Sequence, residues 1–269
     1  MQWLRQIARG LAAPALLLVI WQGVCEAGWV TPQALPSPYA VGLKWMEYLL
    51  PGQAYDPASQ SWLMWVLSGE LLRDAGGSLW RVIIGFLVGF VLALPLGLLM
   101  GANARLREFA NPLIQVLRPI PPIAYIPLAI LWFGLGNPPA IFLIALGAFF
   151  PVLMNTIAGV SQVDSIYLRA ARNLGASHSR IFMSVILPAA MPFILSGVRI
   201  GIGTSFLVVI VAEMIAVNNG LGYRILEARE YFWTDKIIAG MLSIGLIGLA
   251  IDLAMDRLNR HLLRWHRGM

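Results

Sequence analysis

Six apolar stretches, at 10–29, 79–101, 112–134, 139–160, 189–213 and 237–256, constrain this chain more than anything else in it. Each is close to the roughly 20 residues that a helix needs to cross the hydrocarbon core of a bilayer. What lies between them cannot make a water-facing surface: only 12% of the 269 residues are charged, against about 25% in a soluble domain. The sequence therefore predicts an all-α integral membrane protein with about six transmembrane helices. Arg5 and Arg9 precede the first stretch as in a secretory signal, but WQGVCEAGW offers no convincing small-x-small cleavage site. The first stretch is accordingly read as a retained span.

The formal charge of +6 invites a nucleic-acid reading, which its distribution removes. Lys44 and Lys236 are the only lysines, and the arginines cluster beside the apolar stretches. One set of span ends carries Arg5 and Arg9, then Arg105 and Arg107, then Arg169, Arg172 and Arg180, then Arg257, Arg260, Arg264 and Arg267. The other set has Lys44, Arg73 and the boundary residue Arg81, nothing between spans three and four, then Arg224, Arg229 and Lys236. Those last three are offset by Glu227, Glu230 and Asp235. The positive-inside rule then places both termini and the segment 169–188 in the cytoplasm of a multi-pass protein. The long connection 30–78 is extracytoplasmic; it opens with the extended, proline-rich TPQALPSP and continues to a segment around Trp62 and Trp65. That segment suits either an amphipathic helix on the membrane face or a plain loop.

Within the spans, three features stand out. Gly85 and Gly89, Gly97 and Gly101, and Gly197 and Gly201 are pairs four apart, a spacing that lets helix backbones approach closely in a bilayer. They serve simple bundle packing or a sliding or dimer contact. Span three reads RPIPPIAYIPLAILWFG, with Pro119, Pro121, Pro122 and Pro127 in one segment and Tyr125 among them. Each proline removes a backbone donor, and irregular backbone at membrane depth survives only where protein buries it or water reaches it. Span three is thus a candidate lining of a pathway. Arg118 opens the cluster, near enough to the cytoplasmic side to snorkel, and Arg199 lies deeper, in span five. A charge at that depth costs about 2.5–3.5 kcal/mol on insertion scales, so Arg199 faces a cavity or pairs structurally. A cavity lined by such arginines favours an anion. Glu213, near the outer end of span five, is a candidate acid or the partner of a nearby arginine.

The least membrane-like stretch is RAARNLGASHSRIFMSVILP, 169–188. Residues 164–174 suit a short helix stopped at Gly175, where a left-handed conformation is easy. Ser177 suits the cap of a second helix that Pro188 breaks. Ala170, Ala171 and Gly175 form a compact small-residue patch, flanked by Arg169 and Arg172, able to seat in a groove of another protein.

These residues carry a family resemblance. The stretch resembles the cytoplasmic motif of permease subunits of ATP-binding-cassette importers: Glu-Ala-Ala, three residues, Gly, nine residues, Ile, one residue, Leu-Pro. Ala170 and Ala171, Gly175, Val185 in the Ile place, and Leu187 with Pro188 match every spacing. Arg169 departs from the Glu, so a salt bridge assigned to that Glu is not carried over. The likeness covers about residues 78–269, and RPIPPIAYIPLAILWFGLG, AEMIAVNNGLGY and RHLLRWHRG resemble the nitrate, taurine, aliphatic-sulfonate and bicarbonate branch. Arg in the first motif place tilts the likeness toward sulfonates. Residues 1–77 match loosely and are read as an N-terminal span with its connection; 78–269 are read as the permease domain. The resemblance implies a type I importer of the bacterial inner membrane. Two permeases, a homodimer by default, form the pathway for a small anion; two separate ATPases hold ATP and Mg, and an extracytoplasmic binding protein delivers substrate. It also makes 164–175 the coupling helix that docks on an ATPase.

The residues themselves agree that the motor lies elsewhere. No GxxxxGK[ST] phosphate loop occurs, and neither lysine sits in one. Cys25 is a lone cysteine, so the chain has no intrachain disulfide or cysteine metal cluster. His178, His261 and His266 lack metal-ligand spacing. No pairing of nucleophile and base supports a membrane enzyme. A secondary transporter or channel is the alternative, but it calls for carboxylates buried in the spans or repeated halves. The spans offer few acids beyond Glu213 and Asp252 near their ends.

Overall fold

The computed structural model describes residues 2–52, 55–56 and 61–263, with the side chains of 2–11 and of residue 63 excepted. Among the described residues every regular element is helical. Four helices are long and apolar enough to cross a membrane: α4 (Glu70–Ala102), α7 (Asn137–Ser161), the continuous helix His178–Ala216, and α12 (Thr234–Leu262). Two of the six expected spans take other forms. The first is α1 (Gln2–Glu26), whose apolar described part is Ala12–Glu26. The third is a pair, α5 (Ala104–Leu117) and the segment Pro122–Phe133, meeting at 80°. The prolines explain the break: 118–121 is not helical in either half, Pro121 is extended, and Pro122–Tyr125 forms one 3₁₀ turn before α6 (Ile126–Phe133).

The chain divides into two compact units, 1–77 with 219–246, and 78–218 with 247–269. Residues 219–246, grouped on sequence with the second region, thus pack with the first. In the first unit, the end of α1 is tied to the proline-rich strip: Trp21 Nε1 donates to the Pro36 carbonyl at 3.1 Å. Ser37 then caps α2 (Pro38–Leu49), accepting from the Ala40 N–H at 3.2 Å, with Pro38 in the first turn where its missing donor costs nothing. The Trp62 and Trp65 segment is a short helix, α3 (Trp62–Leu67), capped by Ser61. Asp74, 5% exposed, organises the unit. It accepts from the Tyr48 hydroxyl (3.0 Å), the Gly220 N–H (3.1 Å) and Arg224 Nε (2.8 Å). Gly220 leads into α11 (Leu221–Glu230). Burial alone would lower the Arg224 pKa, but the carboxylates of Glu227, Asp74 and Glu70 hold it above its ordinary value. Burial first, and the Asp74 carboxylate second, push the Tyr48 phenol up.

The second unit is built around α7, whose Ala140, Ile144, Ala148, Val152, Leu153 and Thr156 are almost wholly buried. Glycines let α4 lie against it. A Cβ on Gly89 would come within 2.4 Å of the Ala145 carbonyl oxygen, and one on Gly101 within 2.5 Å of Val160 Cβ. Along this seam Gly85 meets Ile144, Gly97 meets Thr156 and Gly101 meets Val160, so α4 and α7 run parallel. Two consecutive parallel crossings require the chain between them to return to the starting side. The bent pair 104–133 is therefore a broken span. α10 (Leu187–Ala216) packs on α7 antiparallel, Gly159 beside Ala190 and Gly147 beside Val208. Pro151 leaves the Gly147 carbonyl without its helical donor. The Thr204 hydroxyl of α10, 2.9 Å away, supplies one.

Candidate coupling and translocation sites

The connection between α7 and α10 folds as its local chemistry dictates. Asp164 Oδ1 accepts from the Ile166 N–H at 2.8 Å and starts α8 (Ser165–Asn173). Gly175, at φ +76°, ends it. The Gly175 N–H donates to the Arg172 carbonyl and the Ala176 N–H to the Ala171 carbonyl, satisfying the last acceptors. Ser177 accepts from the Arg180 N–H and starts α9 (His178–Ile181). No α8 residue is buried; Ile166, Tyr167 and Leu174 are 56%, 59% and 87% exposed. Arg169, Ala170, Arg172 and Gly175 are exposed beside them and Ala171 is half-buried. The hairpin thus presents small, basic and apolar groups together, held by caps, with no α8 side chain buried among the described residues.

Leu187 and Pro188 lie elsewhere, and the expected break at Pro188 does not occur. The helix runs on from His178 to Ala216, with a π turn over Phe182–Ile186. The Leu187 N–H reaches back to the Phe182 carbonyl, widening the turn where Pro188 offers no donor. Leu187 packs against Val160, Ala190 and Ile194. The motif's end therefore anchors the hairpin to the α7–α10 seam.

A cavity of about 400 Å³ opens between the broken span, α7 and α10. Arg118, Pro121 and Pro122 line it with Phe150, Asn155 and Thr204. Pro119 lines a neighbouring cleft with Arg118, and half-buried Tyr125 reaches neither. Among the described residues Arg118 has no hydrogen-bond or ion-pair partner. Arg81 and Arg199, by contrast, are paired. Arg199 holds Asp252 in a fork, Nε and Nη2 donating at 2.8–3.0 Å, and the two also line a cavity of about 190 Å³ with Phe206 and Leu207. Arg81, 3% exposed, donates to fully buried Glu213 at 2.6 Å and to Asn137 at 2.7 Å, while Ser78 donates to the other Glu213 oxygen at 2.9 Å. Glu213 is thus held inside the bundle, away from the cavity. The polar spacing of Ser78 and Arg81 at the edge of an apolar run was a usable sign of this cluster; nothing local marked Asn155 or Thr204 as cavity lining. Arg264, Arg267 and His266 lie outside the described residues.

The family profile described as binding-protein-dependent transport system inner membrane component matches residues 81–268. The taurine transport system permease protein TauC of Escherichia coli (strain K12) is 35% identical over 97% of this chain and 91% of that one. The putative aliphatic sulfonates transport permease protein SsuC of Bacillus subtilis (strain 168) is 37% identical over 96% and 87%. Among solved structures, an inward-facing form of the MetNI methionine ABC transporter superposes with a TM-score of 0.64 at 21% identity, covering 76% of this chain and 99% of that one. That likeness extends to the fold.

Proposed function

This chain belongs to the family of binding-protein-dependent transport system inner membrane components, and from that premise we propose that it carries a small sulfonate-type anion through the cavity headed by Arg118. It is the transmembrane permease subunit of an ABC importer. Two copies form the pathway, two ATPases bind ATP and Mg at the cytoplasmic face, and an extracytoplasmic binding protein delivers substrate. The hairpin 164–177 lies on the cytoplasmic side, as the arginine asymmetry requires, and docks in the ATPase.

One observation carries the anion reading. Arg118 is an exposed guanidinium without a hydrogen-bond or ion-pair partner among the described residues, beside a largely apolar cavity. A charge left so is costly in hydrocarbon and favourable beside an anion. The apolar walls suit the organic part of an alkyl or aminoalkyl sulfonate. Coupling follows from attachment: the hairpin joins α7 and α10, whose backbones touch at Gly159 and Ala190, so displacing it moves both. The test is uptake of labelled taurine and alkyl sulfonates into proteoliposomes holding permease, ATPase and binding protein. Accumulation requiring ATP and all three components is expected. Accumulation without ATP, driven by an ion gradient, contradicts the reading, as does uptake of a neutral sugar alone.

A further inference from the structure

A second cavity, of about 720 Å³, opens at the end of the bundle that carries α8. Its wall is formed by the last residues of α4 (Gly101, Ala102), the start of α5, the end of α7 (Val160, Ser161), α8 and the helix that begins at His178. Three basic side chains line it, Arg107, Arg172 and His178, and no carboxylate does. Arg107 is positioned from within: it donates to Ser161 Oγ at 2.7 Å, and that hydroxyl is anchored on the Ile157 carbonyl at 2.7 Å. The hydroxyl takes one of five guanidinium N–H groups. The side chains of Arg172 and His178 have no hydrogen-bond or ion-pair partner among the described residues. The rest of the lining is mostly apolar, chiefly Val160, Ile181, Phe182 and Met183, with Ser179 among them and Met183 64% exposed.

Basic groups at a helix end beside an apolar wall match a molecule with an anionic phosphate head and a hydrocarbon tail. The level of the cavity agrees, since the long apolar helices α4 and α7 both end there. Guanidinium forks hold phosphate in two-pronged geometry, and basic pockets between membrane helices suit acidic head groups. We propose that this cavity binds the phosphate head group of an anionic phospholipid, with an acyl chain along the Ile181–Phe182–Met183 wall. The lipid links Arg107, fixed to α7 through Ser161, with Arg172 and His178 on the hairpin. It therefore bridges the bundle and the element through which the ATPase acts. This assignment rests on the cavity alone and does not depend on which anion is transported.

The experiment is native mass spectrometry of the purified chain in detergent, titrated with phosphatidylglycerol and separately with phosphatidylcholine. Wild type retains phosphatidylglycerol preferentially. Arg107→Gln loses about tenfold of that affinity, the loss expected for one charged hydrogen-bonding partner, with phosphatidylcholine binding unchanged. Arg107→Lys, which keeps the charge and loses the fork, falls between. Lipid-free melting temperatures that match wild type show that each variant is folded; if Arg107→Gln does not match, His178→Gln takes its place with the same expected direction. Equal retention of both lipids by wild type, or equal phosphatidylglycerol retention by folded variants, overturns the proposal. Displacement of the lipid by inorganic phosphate at matched ionic strength also overturns it and assigns the cavity to a free anion.

Discussion

At the scale of single residues, the account separates three arginines that the sequence presents as similar. Arg81 and Arg199 are neutralised by Glu213 and Asp252, while Arg118 is not. Their substitutions should differ in kind. Arg118→Gln leaves the folded yield and ATPase association intact but raises the KM for sulfonate at least several-fold in proteoliposome uptake; an unchanged KM removes Arg118 from the pathway. Glu213→Leu removes the carboxylate from the buried Arg81 guanidinium, and breaking one side of a buried ion pair costs about 3–5 kcal/mol. Arg81→Met combined with Glu213→Leu should recover much of that loss, because an apolar pair of similar volume avoids desolvating either charge. Thermal melts of the single and double variants in detergent measure the difference. Strongly additive losses would mean that the two residues are not coupled.

At the scale of elements, close approach and broken hydrogen-bond ladders decide the architecture. Gly89→Ala should destabilise by about 1–3 kcal/mol, since the new Cβ meets the Ala145 carbonyl of a rigid helix at 2.4 Å. Gly203→Ala, with nothing within 4 Å, should be neutral or stabilise by about 0.5–1 kcal/mol. Equal effects at both sites would contradict the α4–α7 seam. The sequence disclosed the hairpin well because its determinants are local: Asp164, Gly175 and Ser177 act within three residues of themselves. It misled at Pro188, where the chain widens into a π turn rather than stopping. The single-residue reading of proline contains no information about whether the preceding turn can relax. The proline-rich third span was legible as irregular, but its 80° bend depends on what the two halves pack against.

At the scale of the whole molecule, the least legible features join residues distant in sequence. Arg81 and Glu213 are 132 positions apart, and Asp74 and Arg224 are 150 apart. Charge counting placed Arg81 and Arg224 at span ends without revealing what they hold, because position along the chain carries no contact information. The basic cavity under α8 was hidden for the same reason: Arg107 and Arg172 read as separate positive-inside markers, and His178 as a histidine without metal-ligand spacing. What the sequence did disclose was the order of apolar spans and the motif between the fourth and fifth, and these carry the proposal of where an outside motor acts. The direct measurement is cross-linking in a Cys25→Ser background, which removes the chain's lone cysteine. Ala170→Cys on α8 and Tyr39→Cys on α2, both exposed, are labelled with a maleimide that carries a benzophenone and photolysed in membranes containing the ATPase, so that the second bond forms by C–H insertion and needs no thiol on the partner. A covalent permease–ATPase product from Ala170→Cys and none from Tyr39→Cys is predicted; a product from Tyr39→Cys alone, or none from either in a complex that still imports, contradicts the claim that the hairpin receives the motor's force.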